Sequence, residues 1–403
     1  MTALLPDAPW RHRAGLDALL FALGTQDGLA RYVGGAVRDG LLGLPVNDLD
    51  IATSLPPTAV MERLKDAGIK AVPTGIDHGT VTAVLADGPV EITTLRRDVS
   101  TDGRRATIAY TDDWRDDAAR RDFTINALYA DPMTGAISDY FGGIADLEAR
   151  RLRFIGDAEA RIAEDHLRIL RYFRFLARYG DNEVDGHAYA ACVAAANSLM
   201  ALSRERIADE LMKLLAVASP VTALRLMVEG GILGPVLPEV AMEGVDRVEA
   251  LIAREAKASL PPSAVRRLAA LLPPDAAVAD QVGARLKLSN KARKRLAVAL
   301  ARDGAEESMK ALAFRIGTEG AIDRLLLESS QPIEALEQLR GWTPPRLPIS
   351  GGALIKRGLT PGPDVAKALQ QVERQWVAED FPDEDRVQQL ADQIVSKFQR
   401  ARQ

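Results

Sequence analysis

The chain has 403 residues, 47% of them apolar, a net charge of −5 and a single cysteine, Cys192. That length exceeds one ordinary core and suggests two to four domains; no apolar run is long enough to span a bilayer, and one cysteine excludes an internal disulfide framework and any cysteine-based zinc site. The acidic balance argues only weakly against nucleic acid, because a phosphate backbone feels a local basic patch rather than the average.

The N-terminal stretch MTALLPDAPWRHRAGLDALLFAL does not read as a secretory leader: its apolar piece is short, carries Asp17 and lacks a small-residue cleavage site. The expectation is a soluble cytoplasmic chain with no membrane contact and no protein partner. Short β-rich runs follow at ARYVGG, LDIAT, TVTAVLA and PVEITTL, separated by Gly, Pro and Asp turns, with an amphipathic helix over Pro57–Asp66. From about Arg151 strand signals vanish. Helical patterns then run over Ala163–Tyr179, Arg204–Ala216 and Val221–Glu229 and continue to the end. Proline-bearing breaks at LPPSAV, LLPPDA and WTPPRLP mark boundaries or linkers, and no repeat or low-complexity tract interrupts the chain. The expected architecture is an α/β head on an all-helical remainder.

The stretch GGAVRDGLLGLPVNDLDI (Gly34–Ile51) carries the first chemistry. In a strand, residues i and i+2 point to the same side, so Asp48 and Asp50 present two carboxylates together, and these repel unless a cation lies between them. Magnesium binds such carboxylates together with phosphate oxygens, and a pair of ions serves an in-line nucleotidyl displacement. Glu91, in PVEITTL on a candidate neighbouring strand, is the third carboxylate. Alone, a D-x-D pair marks a turn or a solvated strand end just as well. Here it follows Gly34 and Gly35, which let backbone approach a ligand closely, and a short helix whose N-terminal N–H groups and Arg38 suit phosphate. One element then holds a triphosphate and the next holds its metals.

In order and spacing, GGAVRDGLLGLPVNDLDIAT (Gly34–Thr53), GIDHGTVT (Gly75–Thr82), EITTLRRD (Glu91–Asp98), RRDFTINALYAD (Arg120–Asp131), EDHLRILRYFRFLARYG (Glu164–Gly180) and SRERIADELMKLL (Ser203–Leu215) resemble the class II CCA-adding tRNA nucleotidyltransferases and bacterial poly(A) polymerases, within the superfamily that includes DNA polymerase beta. The resemblance covers about half the chain. It implies an α/β nucleotidyltransferase head with a polymerase-beta-like mixed sheet over residues 1–150. A helical neck with a base-reading helix would follow over 151–218, then an RNA-binding helical body over 219–335 and an RNA-binding helical tail over 336–403. It also implies tRNA, CTP and ATP as substrates and Mg2+ as cofactor. Matched residue by residue, Gly34, Gly35 and Arg38 fall to the nucleotide phosphates, Asp48 and Asp50 to magnesium, and Arg121 to the nucleotide, with Asp122 and Asn126 supporting its loop. Asp165 and Arg168 match the pair that reads the incoming base, and Arg171 and Arg174 match further nucleotide contacts.

Elementary chemistry supports the base-reading pair. Aspartate accepts hydrogen bonds and arginine donates them. Cytosine and adenine each offer an amino donor beside a ring-nitrogen acceptor, whereas uracil and guanine offer the reverse, so an Asp/Arg pair suits C and A and leaves unpaired groups against U and G. Three residues apart on one helix, Asp165 and Arg168 would be neighbours on a face, where an ordinary salt bridge is the plainer reading. Arg168, Arg171 and Arg174 advance in threes and drift around the helix, so either the series lines a curved site or Arg174 serves phosphate or scaffold instead. RRDVSTDGRRATIAYTDDW, from Arg96, resembles the flexible family loop between the catalytic strands and RRDFT; it either reshapes the pocket between C and A addition, with Asp102 and Arg104 as the residues to test, or is a disordered surface loop.

For the RNA, RLKLSNKARKR (Arg285–Arg295) is basic and free of acids; Ser289 or Asn290 would cap a helix carrying Lys291, Arg293, Lys294 and Arg295, with Lys287 just before it. Such clusters are also common as solvated helix faces. LPISGGALIKRGLTPGPDV (Leu347–Val365) resembles the family tail and is either an RNA contact or a plain connection. His78 orders a turn or acts as a general base; Cys192, Trp114 and Trp376 read as packing residues. The expected activity is template-independent CCA addition to tRNA 3′ ends, with poly(A) polymerase, A-only or CC-only addition, and an inactive RNA-binding protein as alternatives.

Overall fold

A computed structural model describes residues 3–102, 105–181, 184–301, 308–328 and 330–400. The chain forms two compact units, Met1–Pro238 and Glu239–Gln403.

The first unit runs α1 (Leu16–Ala22), β1 (Ala30–Val33), α2 (Gly35–Leu41), β2 (Leu49–Thr53), α3 (Pro57–Asp66), β3 (Ala71–Gly75), β4 (Thr80–Leu85), β5 (Gly88–Thr94), β6 (Arg96–Asp102), β7 (Arg105–Tyr110), α4 (Trp114–Ala119), β8 (Leu128–Ala130) and β9 (Ile137–Asp139). It ends in helices α5 (Gly143–Glu148), α6 (Ala158–Glu164), α7 (Leu167–Tyr179), α8 (Gly186–Ala194), α9 (Arg204–Leu215) and α10 (Val221–Glu229). Seven strands form one mixed sheet in the order β3-β4-β5-β2-β1-β8-β9. The β2–β5 pair is parallel and the others are antiparallel.

Alternation along the strands sorts the two faces. Tyr32, Leu49, Ile51, Val81, Val90 and Ile92 pack against Leu19, Leu23, Val37, Val60 and Leu64 from the helices. Val33 and Ala52 point to the other face, where Leu95, Ala118, Tyr129 and Ile155 cover them. Beyond that cover, the same face carries Asp50, Glu91 and Thr82 side by side in register. Each buried Leu or Ile contributes about 1.5–3 kcal/mol. A one-residue slip of β2 would lose two of them and force Asp50 into the core, so hydrophobic burial fixes where the acid points.

Two expectations change. The segment from Arg96 is a two-stranded ribbon, β6 against β7, paired from Arg96↔Tyr110 to Asp102↔Arg105, and not an irregular loop; Arg104 lies outside the described residues. The single helix expected over Ala163–Tyr179 is two helices. The chain breaks at Asp165, whose backbone is extended (φ −153°, ψ 106°) and whose Oδ1 accepts from the Leu167 N–H at 3.1 Å. A side chain that bonds its own backbone two residues on competes with the helix ladder.

The second unit is helical: α11 (Met242–Lys257), α12 (Ala264–Leu271), α13 (Ala276–Arg285), α14 (Asn290–Leu300), α15 (Met309–Ile316), α16 (Thr318–Leu327), α17 (Gly351–Lys356), α18 (Pro363–Ala378) and α19 (Glu384–Arg400). Its last three helices share a core of Leu354, Val372, Trp376, Val387 and Leu390. An internal ionic cluster ties α11, α12, α14 and α16: Glu255 accepts from Arg266 and Arg267, and Asp323 accepts from Arg266 and Arg295, at 2.6–2.9 Å. Among the described residues no helix is long and apolar enough to cross a membrane.

Candidate active site

The site is built on the polar face of the sheet. Asp50 and Glu91 are direct partners across the parallel β2–β5 pair, and Asp48 lies two residues before Asp50, at the mouth of β2. Burial pushes the Asp50 carboxyl up to about 6, and the charges of Glu91 and Asp48 add to the shift against the pull of Arg121 and Arg38. Like charges thus outweigh the neighbouring cations at Asp50, which is the electrostatic signature of a cation site. All three donors are hard carboxylate oxygens, which suit a divalent cation. Their oxygens do not close into a cage: among the described residues the group with three ligand atoms within 4.8 Å of one another is Asp157, Glu159 and His187, all exposed and elsewhere in the unit.

β1 ends at Gly34, whose φ of +66° and ψ of −121° disfavour any side chain. Space disfavours one too, since a Cβ there would lie 3.2 Å from Arg121 Nη1 and 3.6 Å from the Asn126 carbonyl. Gly34 therefore brings bare backbone against the Arg121 guanidinium. Gly35 opens α2, and a Cβ there would meet Arg38 Nη2 at 3.6 Å.

Arg121 is aimed by its surroundings. It donates to the Tyr129 hydroxyl at 3.3 Å, the Asn126 carbonyl at 3.4 Å and Asp117 at 3.3 Å. Asp117, nearly inaccessible, also accepts from the Tyr129 hydroxyl at 2.6 Å and from Arg120 at 2.7 Å. Burial works to raise its pKa, but Arg121 and Arg120 hold it below the usual carboxylate range.

Arg38, assigned from the sequence to the nucleotide phosphates, is buried and engaged. It donates to Asp39 at 2.8 Å and to the Asn126 side chain, and its guanidinium lies 4.2 Å from the Tyr179 ring centre. Asp39 in turn accepts from the Tyr179 hydroxyl at 2.9 Å. Arg38 thus joins α2 to α7 while its Nη2 stays beside Gly35.

The neck residues are likewise held. Asp165 lies in the break before α7, so it is not a helix-face neighbour of Arg168; it accepts from Arg206 of α9 at 2.6 Å. Arg168 pairs with Glu164 at 2.5 Å and donates to the carbonyls of Arg161 and Arg120, both at 3.0 Å. Arg171 pairs with Asp122 at 2.5 Å, and Asp122 also accepts from Asn126 at 3.0 Å. Burial alone would raise the Asp122 pKa, yet Arg171 and these hydrogen bonds lower it. Arg174 pairs with Glu210 at 2.6 Å. Glu164, Arg206, Glu210, Asp117 and Tyr129 were not singled out from the sequence. For Arg206 and Glu210 a signal existed, since both stand in the SRERIADE stretch behind the Ser203 cap.

In the second unit Ser289 caps α14, and Lys287, Lys291 and Lys294 are exposed. Arg293 pairs with Asp280, and Arg295 is drawn into the ionic cluster through Asp323 and Glu319. Glycines of the Leu347–Val365 stretch open α17, and Pro363 starts α18. His78 is exposed at the turn before Gly79. Cys192 and Trp376 are buried, and Trp114 packs edge-on to Tyr129.

Comparison with known proteins places this site in context. Residues 30–153 match the family described as the Poly A polymerase head domain, and residues 183–243 match that described as a probable RNA and SrmB-binding site of polymerase A. The chain is 34% identical over 379 residues to the mitochondrial CCA tRNA nucleotidyltransferase 1 of Mus musculus, covering 90% of this chain and 86% of that protein. It is 33% identical over 376 residues to the CCA-adding enzyme of Latilactobacillus sakei, covering 88% and 91%. The crystal structure of the Bacillus stearothermophilus CCA-adding enzyme in complex with CTP superposes with a TM-score of 0.76 at 28% identity, covering 96% of this chain and all of that one.

Proposed function

The chain belongs to the family of CCA-adding tRNA nucleotidyltransferases, and from that premise we propose that it adds C and A to the tRNA 3′ end from CTP and ATP without a nucleic-acid template. The RNA 3′-hydroxyl oxygen forms a bond to the α-phosphorus, the α–β phosphoanhydride bond breaks, and pyrophosphate leaves. The observation that carries this reading is the acid row on the polar face of the sheet, Asp50 beside Glu91 with Asp48 at its edge, in the field of Arg121 at the Gly34 turn.

In this reading the Gly34–Gly35 backbone and the Arg121 guanidinium hold the triphosphate, with Arg38 keeping α2 in place beneath it. Asp48, Asp50 and Glu91 would hold Mg2+, which supplies charge neutralisation at the transferring phosphoryl group and a more acidic attacking hydroxyl. Asp165 would accept from the amino group of cytosine or adenine, and Arg168 would donate to the ring nitrogen beside it. Arg206 and Glu164 hold that pair rigid, and rigidity sharpens discrimination because a wrong base then leaves groups unpaired. Exposed Lys287, Lys291 and Lys294 would meet RNA phosphates.

The test is incubation of the purified chain with tRNA lacking its terminal CCA, with each nucleoside triphosphate alone and in mixture. Ordered incorporation of C, C and A followed by arrest supports the reading. Long runs of A would replace it with poly(A) synthesis, arrest after one or two nucleotides with a specialised enzyme, and no incorporation with an RNA-binding protein.

A further inference from the structure

An in-line displacement requires the attacking hydroxyl and the leaving pyrophosphate to lie on opposite sides of the phosphorus. The order of strands turns that requirement into a direction. Gly34 ends β1, and Arg121 is anchored to Tyr129 of β8, so the phosphate anchor lies on one side of Asp50. Glu91 lies on the other side, on β5, and past it the same polar face continues onto β4 and β3. Thr82 is the direct partner of Glu91, and Val72 is the direct partner of Thr82. The Thr82 hydroxyl lies 2.7 Å from that of Thr74. Val84, two residues along β4, opposes Pro89; Val72 and Val84 are 38% and 43% exposed, unusual for aliphatic residues in a sheet.

We propose that the β3–β4 side of this face, Val72, Thr74, Thr82 and Val84, seats the 3′-terminal nucleoside of the RNA and delivers its hydroxyl past Glu91. The assignment rests on the reading of Gly34 and Arg121 as the triphosphate anchor. The surface suits its occupant. Strands lie roughly 4.8 Å apart, so β4 and β3 extend the face by about two such steps beyond Glu91, enough for one nucleoside. The four side chains are uncharged. A nucleoside is neutral, with a ribose that exchanges hydrogen bonds with hydroxyls and a base whose face packs on aliphatic groups. A phosphate, by contrast, finds no cation among these four side chains, whereas Arg121 offers one on the other side of Asp50. The seat therefore separates the two substrates by charge: the anionic triphosphate goes to the arginine side and the neutral chain end to the threonine–valine side. The exposed Thr74 touches the RNA end, and Thr82, 9% exposed, is a positioning residue that acts through its hydroxyl contact with Thr74.

The experiment uses the full chain, tRNA ending in CC, and ATP. Thr74→Val keeps shape and removes the exposed hydroxyl; Val84→Glu places a charge at an exposed position where folding is not at stake. Loss of one hydrogen bond predicts a roughly three- to tenfold rise in KM for the RNA, with KM for ATP unchanged. Val84→Glu should raise the RNA KM at least as much, and less so at high salt. As a measurement independent of folding, tRNA carrying 4-thiouridine as its 3′-terminal residue is irradiated on the wild-type chain, and the crosslink is expected within residues 71–91. A shift in KM for ATP alone, unchanged kinetics in both variants, or a crosslink elsewhere would overturn the seat. If the wild-type chain does not extend tRNA-CC at all, the proposed function fails first and takes the seat with it.

Discussion

Buried acids occur in two settings in this molecule. In the second unit Glu255 and Asp323, 2% and 0% exposed, are each gripped by two arginines at hydrogen-bond distance. In the first unit burial pushes the Asp50 carboxyl up, and its neighbours Glu91 and Asp48 add to that against the pull of Arg121 and Arg38. Residue type is similar; Asp50 is half-buried where Glu255 and Asp323 are fully buried, and the neutralising partner is the further difference. An acid whose charge is met by the fold serves the fold. An acid left with like-charged neighbours is a cost to the fold, and a site of that kind exists for something that arrives from outside.

Neutralising one acid in each setting should therefore move stability in opposite directions. Asp50→Asn is expected to cut the rate of nucleotide addition by about a thousandfold or more, while the melting temperature holds or rises because a repulsion is relieved. Asp323→Asn takes away the fully buried carboxylate shared by Arg266 and Arg295, leaving Arg266 to share Glu255 with Arg267 and Arg295 with the exposed Glu319 as its remaining acid, and breaking a buried pair from one side costs about 3–5 kcal/mol. Denaturant unfolding should show that loss. Turnover per folded molecule, measured at a temperature where both chains are folded, should not change. A destabilised Asp50→Asn or an indifferent Asp323→Asn would erase the distinction.

The same contrast explains what was legible in the sequence. β1, β2, β4 and β5 were readable because β-branched residues alternate there between turns, and the Asp50–Glu91 neighbourhood followed from placing LDIAT beside PVEITTL. β6 and β7 were not, because charged residues and a glycine dilute the strand signal, and β8 is three residues deep inside a stretch dominated by its arginines. The break at Asp165 has no glycine or proline to announce it; it comes from one side chain capping its own backbone. Above all, the partners of charges were invisible. Nothing local says that Arg38 will close on Asn126, eighty-eight residues away, or that Arg295 will turn inward to Asp323, while Lys294 beside it stays out.

A smaller effect probes the anchor opposite the acids. Gly34→Ala puts a Cβ into a backbone conformation that side chains avoid and within 3.2 Å of Arg121 Nη1. Strain of that kind costs about 1–3 kcal/mol, and the Arg121 guanidinium is the group that must give. KM for both CTP and ATP should rise roughly tenfold, since a triphosphate anchor is common to the two. A change confined to one nucleotide would assign Gly34 to base selection instead.

The smallest effect tests whether the contrast between met and unmet charge also sorts the basic stretch Arg285–Arg295. Lys291 and Lys294 are exposed, while Arg295 holds Asp323 and Glu319. If exposure marks the RNA-facing cations, Lys291→Ala with Lys294→Ala should weaken tRNA binding and flatten the dependence of log Kd on log salt by less than about two units, with the melting temperature unchanged. Arg295→Ala should do the reverse, because removing it strips a partner from a fully buried carboxylate and touches no phosphate. Equal loss of tRNA affinity in both, at equal stability, would mean that the arginine leaves its acids when RNA arrives, and the division between charges that serve the fold and charges that serve the substrate would not hold at this helix.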